Sequence, residues 1–324
     1  MRSVLVTGGA GFIGSHLVDA LVARGDSVRV LDNLSTGKRE NLADHLAAGR
    51  VELVEGDIRD AEAVGRAMQG IELVFHEAAL ASVPRSIEAP LESHHACATG
   101  TLTVLDQARR AGVKRLVYAA SSSCYGDQPQ SSKRETDPPA PLSPYAAAKL
   151  AGEMYCQAFY HSFGLETVGL RYFNVFGPRQ DPKGAYAAVI PRFITAIIAG
   201  EPITVFGDGQ QSRDFTYVAN VVEGNLLAAE APGVAGQMIN MANGRSDSLI
   251  QLIESIEALL GCRAQVKREP ARVGDVRDSL ADISLARRLL AYEPRVDLVE
   301  GLRRSLEYYQ LYVAANPQFS LRRE

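Results

Sequence analysis

The chain has 324 residues, of which 46% are hydrophobic and 22% are charged. This composition is typical of globular proteins and excludes disordered, collagen-like and disulfide-framework chains. The net charge of −4 shows no basic excess, so we expect no nucleic-acid partner. No apolar run approaches the ~20 residues of a membrane span, so we expect no membrane partner either.

The cysteines and the N-terminus indicate the cellular compartment. Cys97, Cys124, Cys156 and Cys262 lie far apart and form no C-x-x-C pair, which favours reduced thiols over disulfides or zinc. The first residues contain no apolar signal-peptide region. We therefore expect a cytoplasmic protein without a bound metal.

The first half of the chain alternates strand and helix patterns. Short apolar runs predict strands, and Ile13, Leu17 and Leu21 recur at helical spacing between two of them. Such alternation predicts an α/β fold, with parallel strands and helices on both faces of a doubly wound sheet. The predicted strands are Ser3–Thr7, Ser27–Leu31, Val51–Val54, Glu72–His76, Arg115–Ala119 and Glu166–Arg171, and the longer predicted helices are Phe12–Ala23, Glu88–Ala111 and Tyr145–Gly164.

The second half is less regular and looks built onto the first without a hinge. We expect it to form a smaller C-terminal α/β part. Its predicted helices are Ala188–Ala199, Val218–Ala229, Ser248–Leu260 and Val299–Val313, with short strands at Ile203–Phe206 and Gln237–Met241.

A glycine-rich loop joins the first predicted strand to the first helix. Gly8, Gly11 and Gly14 lie where a dinucleotide-binding motif requires them, after a strand and at the start of a helix. Gly8 permits a tight turn, Gly11 lets the backbone approach a pyrophosphate, and Gly14 lets the helix pack closely. The free N–H groups at the helix N-terminus attract phosphate. The loop predicts a dinucleotide cofactor.

Asp32 ends the second predicted strand and indicates which dinucleotide binds. A carboxylate there can accept hydrogen bonds from both adenine-ribose hydroxyls and would repel a 2′-phosphate. NAD is therefore favoured, although Lys38 and Arg39 are near enough to leave NADP open. Asp57, after the third strand, is placed either to flank the adenine or to cap the next helix, a role that Asp60 serves at least as well.

Two groups of residues predict the catalytic chemistry. Tyr145 and Lys149 are four residues apart on a predicted helix, so they share one face. An ammonium near a phenol favours the phenolate, which predicts a lowered Tyr145 pKa and a proton acceptor near neutral pH. The alternative is an amphipathic helix that happens to contain both. Ser121 and Ser123 follow the fifth strand at its carboxyl end, where ligands bind in such sheets, or they form a polar turn.

These motifs, in this order, resemble the extended short-chain dehydrogenase/reductase superfamily over about residues 3–313. Within it, the segments Arg171–Pro178 and Phe206–Phe215 are similar to those of nucleotide-sugar 4-epimerases, and residues 180–191 are most similar to UDP-N-acetylglucosamine 4-epimerases. The resemblance implies a Rossmann-type NAD-binding domain at residues 1–177 and a region at 178–316 that mainly binds the nucleotide sugar, with segments returning to the first domain. Residues 317–324 form a tail.

The resemblance also implies roles for individual residues. Tyr145, as phenolate, would take the proton of the sugar C4 hydroxyl, Lys149 would hold the phenolate charge, and Ser121 and Ser123 would orient the C4 oxygen. The implied cofactor contacts are Gly8, Gly11, Phe12, Ile13, Gly14, Asp32, Asn33, Gly37, Asp57, Ile58, Ala78, Ala79, Tyr145, Lys149 and Tyr172. The implied substrate contacts are Ser82, Ser123, Asn174, Ala188, Val189, Val205, Arg213, Arg272, Asp275 and Ser279.

The activity implied is NAD-dependent 4-epimerisation of a UDP-hexose through a 4-keto intermediate. The alternatives are a dehydratase, a decarboxylase and a non-catalytic dinucleotide sensor. Dehydratases of the superfamily carry an Asp-Glu pair where this chain has Ser122-Ser123, which cannot perform the same acid–base work. The intact pair of Tyr145 and Lys149 argues against a sensor.

Ser279 indicates the sugar. Relatives restricted to non-acetylated sugars carry a bulky aromatic residue at this position, four residues after Asp275, whereas serine leaves room for an acetamido group. The resemblance therefore implies UDP-N-acetylglucosamine and UDP-N-acetylgalactosamine as substrates, with UDP-glucose and UDP-galactose as weaker or comparable ones. A serine at the pocket rim without a substrate contact is the alternative.

Two further expectations come from the resemblance. The family commonly dimerises through a four-helix bundle, and the segments 88–111 and 145–164 have enough apolar surface to form one, so a homodimer is implied. Cys97 stands where many relatives carry an asparagine, which removes one side-chain hydrogen bond from that helix.

Overall fold

The computed structural model describes residues 2–130, 132–183, 187–270 and 277–316. In these ranges, a seven-stranded sheet has helices on both faces, and short strands of the C-terminal part form small sheets beside it. The strands are β1 (Ser3–Thr7), β2 (Ser27–Asp32), β3 (Val51–Glu55), β4 (Leu73–His76), β5 (Arg115–Ser121), β6 (Glu166–Tyr172), β7 (Val175–Phe176), β8 (Ile203–Phe206), β9 (Ser212–Arg213), β10 (Thr216–Tyr217), β11 (Met238–Met241), β12 (Asp247–Ser248), β13 (Val266–Glu269) and β14 (Asp278–Ser279).

The helices connect these strands and cover the large sheet. They are α1 (Phe12–Ala23), α2 (Ala43–Ala47), α3 (Ala61–Ala67), α4 (Val83–Glu88), α5 (Pro90–His94), α6 (Gly100–Arg110), α7 (Pro144–Phe163), α8 (Val189–Ala199), α9 (Val218–Glu230), α10 (Leu249–Leu260), α11 (Ser284–Leu290) and α12 (Leu298–Ala314). Short 3₁₀ turns lie at Arg39–Leu42 and Ser122–Tyr125, and a π-helical turn lies at His95–Thr99.

The large sheet has the strand order β11-β6-β5-β4-β1-β2-β3, and all neighbouring strands are parallel. This arrangement confirms the predicted doubly wound α/β fold. The register places Thr7 of β1 beside His76 of β4 and Leu31 of β2. The carboxyl ends of these strands therefore meet at one edge, where such sheets bind ligands. Strand β11 returns from the second half of the chain to pair with β6.

The sheet is buried on both faces. In β1, Val4 and Val6 pack into a core cluster with residues of α1, including Leu17, whereas Leu5 packs into a second cluster with residues of α3 and α6. A strand covered on both sides needs apolar residues in succession, which explains its continuous run.

The helix predicted at Glu88–Ala111 is interrupted in the structure. Ala89 has non-helical angles (φ −133°, ψ 68°) because a residue before proline is disfavoured in the helical region, and Pro90 then begins a new helix. A π-helical turn follows before Gly100. At Gly100 an added Cβ would lie 2.6 Å from Ile58, so the close packing requires glycine. The prediction of one regular helix over Glu88–Ala111 is therefore wrong at Ala89, where the chain leaves the helical conformation, and at the π-helical turn His95–Thr99.

Helix α7 has clear signals at both ends. The Ser143 hydroxyl accepts a hydrogen bond from the Ala146 N–H at 3.1 Å, Pro144 occupies the first turn, and Gly164 ends the helix with φ +71°. These signals place Tyr145 in the first turn and Lys149 one turn later. In the described parts of the chain, no helix combines the length and apolar character needed to span a membrane.

Candidate active site

The glycine loop has the backbone form that the sequence predicts. Gly8 has φ +71°, and an added Cβ there would lie 2.7 Å from the Ala78 backbone. At Gly14, an added Cβ would lie 2.2 Å from the Gly8 carbonyl oxygen. Gly11 begins α1 without a side-chain cap, so the first N–H groups of the helix stay available to a ligand. The loop can therefore cradle a phosphate.

A cavity of about 850 Å³ lies beside this loop. Its wall includes the start of α1 and the segments that follow β2, β3 and β4, so it follows the carboxyl edge of the sheet. The predicted cofactor residues that line it are Gly8, Gly11, Phe12, Ile13, Gly14, Asp32, Asn33, Gly37, Asp57, Ile58, Ala78 and Ala79, and the predicted substrate residues are Ser82 and Ala188.

Asp32 is buried at the end of β2 and is fixed by the backbone. Its carboxylate accepts hydrogen bonds from the Ala10 N–H at 3.0 Å and the Leu34 N–H at 2.8 Å. Burial raises its pKa above the ordinary range, and these two hydrogen bonds oppose the shift. At Gly37, an added Cβ would lie 2.9 Å from both carboxylate oxygens. Glycine at that position therefore leaves space next to the carboxylate.

Asp57 lies in the cavity wall, and Asp60 is the helix cap. Asp60 accepts hydrogen bonds from the first N–H groups of α3, so Asp57 is not the cap of that helix, and its place beside the adenine stays a prediction. The Asp57 carboxylate accepts two hydrogen bonds from the Arg59 guanidinium, at 2.8 and 2.7 Å, and one from the Asn33 amide at 2.8 Å. The Arg59 guanidinium holds the Asp57 pKa well below its usual range, so the group is ionised at neutral pH.

Lys38 and Arg39, the two cations that left NADP open, have carboxylate partners. Lys38 Nζ lies 3.6 Å from Asp181, and Arg39 donates to Glu55 at 2.6 Å. Both pairs are solvent-exposed and therefore weak. They nevertheless direct the two cations toward other carboxylates, which is consistent with NAD rather than NADP as the cofactor.

Tyr145, Ser121 and Ser123 form a hydrogen-bonded row at the end of β5. The Tyr145 and Ser121 side chains are hydrogen-bonded, and Ser121 Oγ lies 2.8 Å from Ser123 Oγ. The Ser123 N–H also donates to Ser121 Oγ at 3.2 Å. The structure thus brings together three of the predicted catalytic side chains, with Ser121 in direct contact with the phenol.

The predicted lowering of the Tyr145 pKa is wrong for this structure. Burial raises the pKa of the phenol, and only the hydrogen bond from Ser121 opposes the shift. Lys149 is itself buried, which lowers its pKa, and its ammonium lies 4.6 Å from the centre of the Tyr118 ring. Spacing on the helix correctly placed both residues on one face, but desolvation of the phenol dominates the Tyr145 pKa.

Cys97 lies next to the catalytic helix. It shares a small apolar cluster with Tyr145 and Ala148, and its thiol lies 3.9 Å from the Leu80 carbonyl oxygen. The position that carries an asparagine in many relatives is therefore an apolar neighbour of Tyr145 in this chain.

Tyr172 is buried beneath the cavity with a carboxyl partner that the sequence analysis missed. Its hydroxyl donates to Glu77 at 2.7 Å and accepts from the Asn225 amide at 2.7 Å. Burial raises the Glu77 pKa to about 7. Glu77 directly follows β4 and lines the cavity. An acidic residue at the carboxyl end of a buried strand was the signal that could have identified it.

The predicted substrate residues of the second half meet at β9. Ser279 of β14 pairs with Arg213 of β9 in parallel register. The Asn174 amide donates to the Asp214 carbonyl oxygen at 3.2 Å, next to Arg213. The structure therefore places three segments that are distant in the sequence around one short strand.

The remaining predicted substrate residues fall into two groups. Val205 is buried in the hydrophobic core, and Val189 packs against that core at the start of α8, so neither lines the cavity beside the glycine loop. Arg272 and Asp275 lie outside the described residues.

Comparison with known families shows the family to which the chain belongs. Residues 4–242 match the NAD-dependent epimerase/dehydratase family. The chain belongs to this family. The matched range contains the glycine loop and the row formed by Tyr145, Ser121 and Ser123.

Solved structures of family members cover nearly the whole chain. A UDP-N-acetylglucosamine 4-epimerase from Methanobrevibacter ruminantium, in complex with UDP-N-acetylmuramic acid, is 40% identical with a TM-score of 0.92, over 96% of this chain and 99% of its own. A UDP-glucose 4-epimerase from Thermotoga maritima with UDP-glucose is 39% identical with a TM-score of 0.91, over 96% and 100%. A UDP-glucose 4-epimerase from Thermus thermophilus in complex with NAD is 38% identical with a TM-score of 0.88, over 95% and 99%.

NAD is the cofactor of this epimerase/dehydratase family member, and its residues fit that cofactor. The loop at Gly8 and Gly14 has no room for side chains, and the uncapped start of α1 presents N–H groups suited to a pyrophosphate. Asp32 presents a carboxylate to the same cavity, at the end of β2. These observations come from the chain itself and agree with the family assignment.

Proposed function

We propose that this protein interconverts the C4 epimers of a UDP-hexose, with UDP-N-acetylglucosamine and UDP-N-acetylgalactosamine as its main substrates. UDP-glucose and UDP-galactose are weaker or comparable substrates. The observation that carries the proposal is the hydrogen-bonded row of Tyr145, Ser121 and Ser123 at the end of β5. This row lies one strand away from β4, whose following residues line the cofactor cavity. A sugar hydroxyl bound beside this row would contact both Tyr145, the proton acceptor, and the dinucleotide in the cavity.

The catalytic residues act on the C4 hydroxyl. Tyr145 accepts its proton, and Ser121 stabilises the phenolate through the hydrogen bond that lowers the Tyr145 pKa. Ser123 supports Ser121 and orients the C4 oxygen. Lys149 supplies the positive charge that balances the phenolate. NAD, when bound, supplies the acceptor and donor of the C4 hydride.

The substrate residues hold the nucleotide while the sugar turns. Arg213 and Asn174 bind the diphosphate, for which a guanidinium is well suited. With the nucleotide anchored, the 4-keto sugar turns about the diphosphate and presents its other face. The reverse transfer then gives the inverted alcohol with no net redox change.

Two observations support this reaction over its alternatives. The turn after β5 carries Ser122 and Ser123 at the positions where a dehydratase needs an acid–base pair, and a hydroxyl cannot replace a carboxyl group there. The half-buried Tyr145 and the buried Lys149 retain the groups that a non-catalytic sensor does not need.

The acetylated sugar is supported by the size of Ser279. Its small side chain is half-buried beside Arg213, the residue proposed to bind the diphosphate. The pairing of β14 with β9 fixes the distance between Ser279 and Arg213. A small residue at that place leaves volume for an acetamido group.

We assign a homodimer to the exposed apolar surface of α4, α5 and α7. Ile87, Leu91 and Phe163 are 65%, 71% and 54% exposed, and Met154 of α7 is 47% exposed. A second copy covering this face would bury them. In light scattering, the double variant Leu91→Glu/Met154→Glu should be a monomer; a dimer of unchanged mass would contradict this interface.

The four free cysteines suit the reducing cytoplasm, where we place the enzyme.

A substrate panel tests the proposed function. The purified protein with its bound NAD is incubated separately with UDP-N-acetylglucosamine, UDP-glucose and UDP-glucuronate, and the products are separated by chromatography. We expect UDP-N-acetylgalactosamine to form fastest, with no net accumulation of NADH. A 4-keto-6-deoxy product would favour a dehydratase, a decarboxylated product a decarboxylase, and bound NAD without any product a sensor.

A further inference from the structure

Asp214 is a fully buried carboxylate in the substrate half of the chain, next to Arg213. One carboxylate oxygen accepts the Asn243 N–H at 2.8 Å. The other accepts the Gly244 N–H at 3.0 Å and the Ala281 N–H at 3.3 Å. These donors belong to two separate loops, one after β11 and one after β14. A single side chain therefore ties both loops to β9.

The Asp214 backbone makes two more contacts to the same region. Its N–H donates to the Ser279 carbonyl oxygen at 2.6 Å, and its carbonyl oxygen accepts the Asn174 amide at 3.2 Å. Asp214 thus touches Asn174, adjoins Arg213 and fixes the strand that carries Ser279. Asn174, Arg213 and Ser279 are the proposed substrate contacts, and they come from three segments that lie far apart in the sequence.

The carboxylate is held by backbone N–H groups, and no ion pair to it occurs among the described residues. Burial raises the pKa of Asp214 to about 7, and the three backbone N–H groups oppose this shift because they favour the ionised form. Here the loop at Asn243 and Gly244 directs successive N–H groups at the carboxylate, and Gly244 reaches that geometry with φ +71°. An apolar side chain of the same size would leave these donors without an acceptor.

We propose that Asp214 is a positioning residue for the UDP-sugar site. Its carboxylate holds the loops after β11 and β14 against β9, and this arrangement fixes Arg213, Asn174 and Ser279 relative to one another. Asp214 touches neither cofactor nor substrate. The inference rests on the proposed function, because it assumes that Arg213 and Asn174 bind the diphosphate.

The proposal separates the substrate site from the cofactor site. The residues that Asp214 contacts do not line the NAD cavity, and Tyr145 and Ser121 are held by α7 and β5. Weakening the Asp214 contacts should therefore loosen UDP binding while NAD binding stays intact. The effect on KM should exceed the effect on kcat.

The test compares Asp214→Asn with the unmodified holoenzyme. Asparagine keeps the size of the side chain but replaces one acceptor oxygen with an amide donor that opposes the backbone N–H groups. We expect UDP, used as the probe in calorimetry, to bind about 10-fold to 100-fold more weakly, in line with the effect of a small displacement of binding groups. Bound NAD, measured after release from the protein, should remain stoichiometric.

Asp60→Asn is the matched control. Asp60 also accepts backbone N–H groups, at the start of α3, but contacts none of the substrate segments. We expect its UDP affinity to be unchanged. If Asp214→Asn binds UDP like the unmodified enzyme, the proposal is overturned. If it loses NAD together with UDP, the proposal is also overturned, because general unfolding then explains the loss.

A double-mutant cycle provides a second test. If Asp214 acts by placing Arg213, then Asp214→Asn should weaken UDP binding less in the Arg213→Ala background than in the unmodified protein. Independent effects, with fold-changes that multiply, would overturn the proposal. Failure of the proposed function is recognisable separately: without a UDP-sugar site the unmodified holoenzyme would bind no UDP, and with a different reaction it would bind UDP but form no C4 epimer in the substrate panel.

Discussion

Arg171 and Glu153 form a buried ion pair that joins β6 to the catalytic helix α7. Arg171 Nη2 lies 2.8 Å from Glu153 Oε2, and Arg171 Nε lies 3.0 Å from Oε1. Glu153 is one turn beyond Lys149. Arg171 also donates to the Tyr125 hydroxyl at 2.8 Å, in the turn that follows Ser121. The pair therefore links the two elements that carry the catalytic side chains.

The first prediction concerns this ion pair. Glu153→Leu should lower the free energy of unfolding by about 3–5 kcal/mol, because it leaves the Arg171 guanidinium buried without a counter-charge. The double variant Glu153→Leu/Arg171→Met should recover part of the loss. Urea unfolding monitored by circular dichroism measures both. If Glu153→Leu lowered the free energy of unfolding only as much as the removal of an exposed ion pair does, the assigned role would be contradicted.

The second prediction separates the two catalytic serines. Ser121 is hydrogen-bonded to Tyr145 and lowers its pKa, whereas Ser123 contacts Ser121. Removing a bond that favours the phenolate raises the Tyr145 pKa, so Ser121→Ala should move the acidic limb of the kcat profile to higher pH. Ser123→Ala should move it less. An equal displacement in both variants would count against the direct role of Ser121.

The third prediction tests the selection of NAD by Asp32. Asp32→Asn keeps an acceptor for the Ala10 or Leu34 N–H but removes the charge that repels a 2′-phosphate. We expect weaker NAD binding and a higher relative affinity for NADP in titrations of the cofactor-free protein. Asp60→Asn, at a residue that caps α3 and does not line the cavity, should leave the preference unchanged. The same ratio of NADP to NAD affinity in Asp32→Asn would remove Asp32 from this role.

The fourth prediction tests the sugar pocket at Ser279. Ser279→Tyr should reduce turnover of UDP-N-acetylglucosamine at least about 100-fold by filling the space for the acetamido group, while UDP-galactose turnover is spared. Ser279→Ala, which keeps the space, serves as the control and should retain both activities. Equal losses on both sugars in the tyrosine variant would indicate general damage, and robust N-acetyl turnover would refute the steric role.

Local signals in the sequence were sufficient for the cofactor loop and the sheet. Gly8 and Gly14 mark a turn that only glycine can make, and apolar runs such as that of β1 indicate strands buried on both faces. Tyr145 lies on the predicted helix because Ser143, Pro144 and Gly164 define its ends. These features depend on neighbouring residues, which is why a pattern reveals them.

Features that depend on distant residues could not be predicted in this way. Asp214 and Ala281 are 67 positions apart, and no spacing rule connects them. The raised Tyr145 pKa comes from burial by elements that fold over the helix, which reversed the prediction made from Lys149 alone. The close approach of Gly100 to Ile58 joins residues 42 positions apart, which no local pattern shows.

The most direct test of the central claim is the fate of the C4 hydrogen. The holoenzyme is given UDP-N-acetylglucosamine that carries deuterium at C4, and the UDP-N-acetylgalactosamine formed in ordinary water is analysed by NMR. Transfer to bound NAD and return to the same carbon predicts that the product keeps deuterium at C4. Tyr145→Phe should form this product at least about 10²-fold more slowly with its NAD retained. Loss of the deuterium to solvent, or near-normal turnover by Tyr145→Phe, would contradict the account.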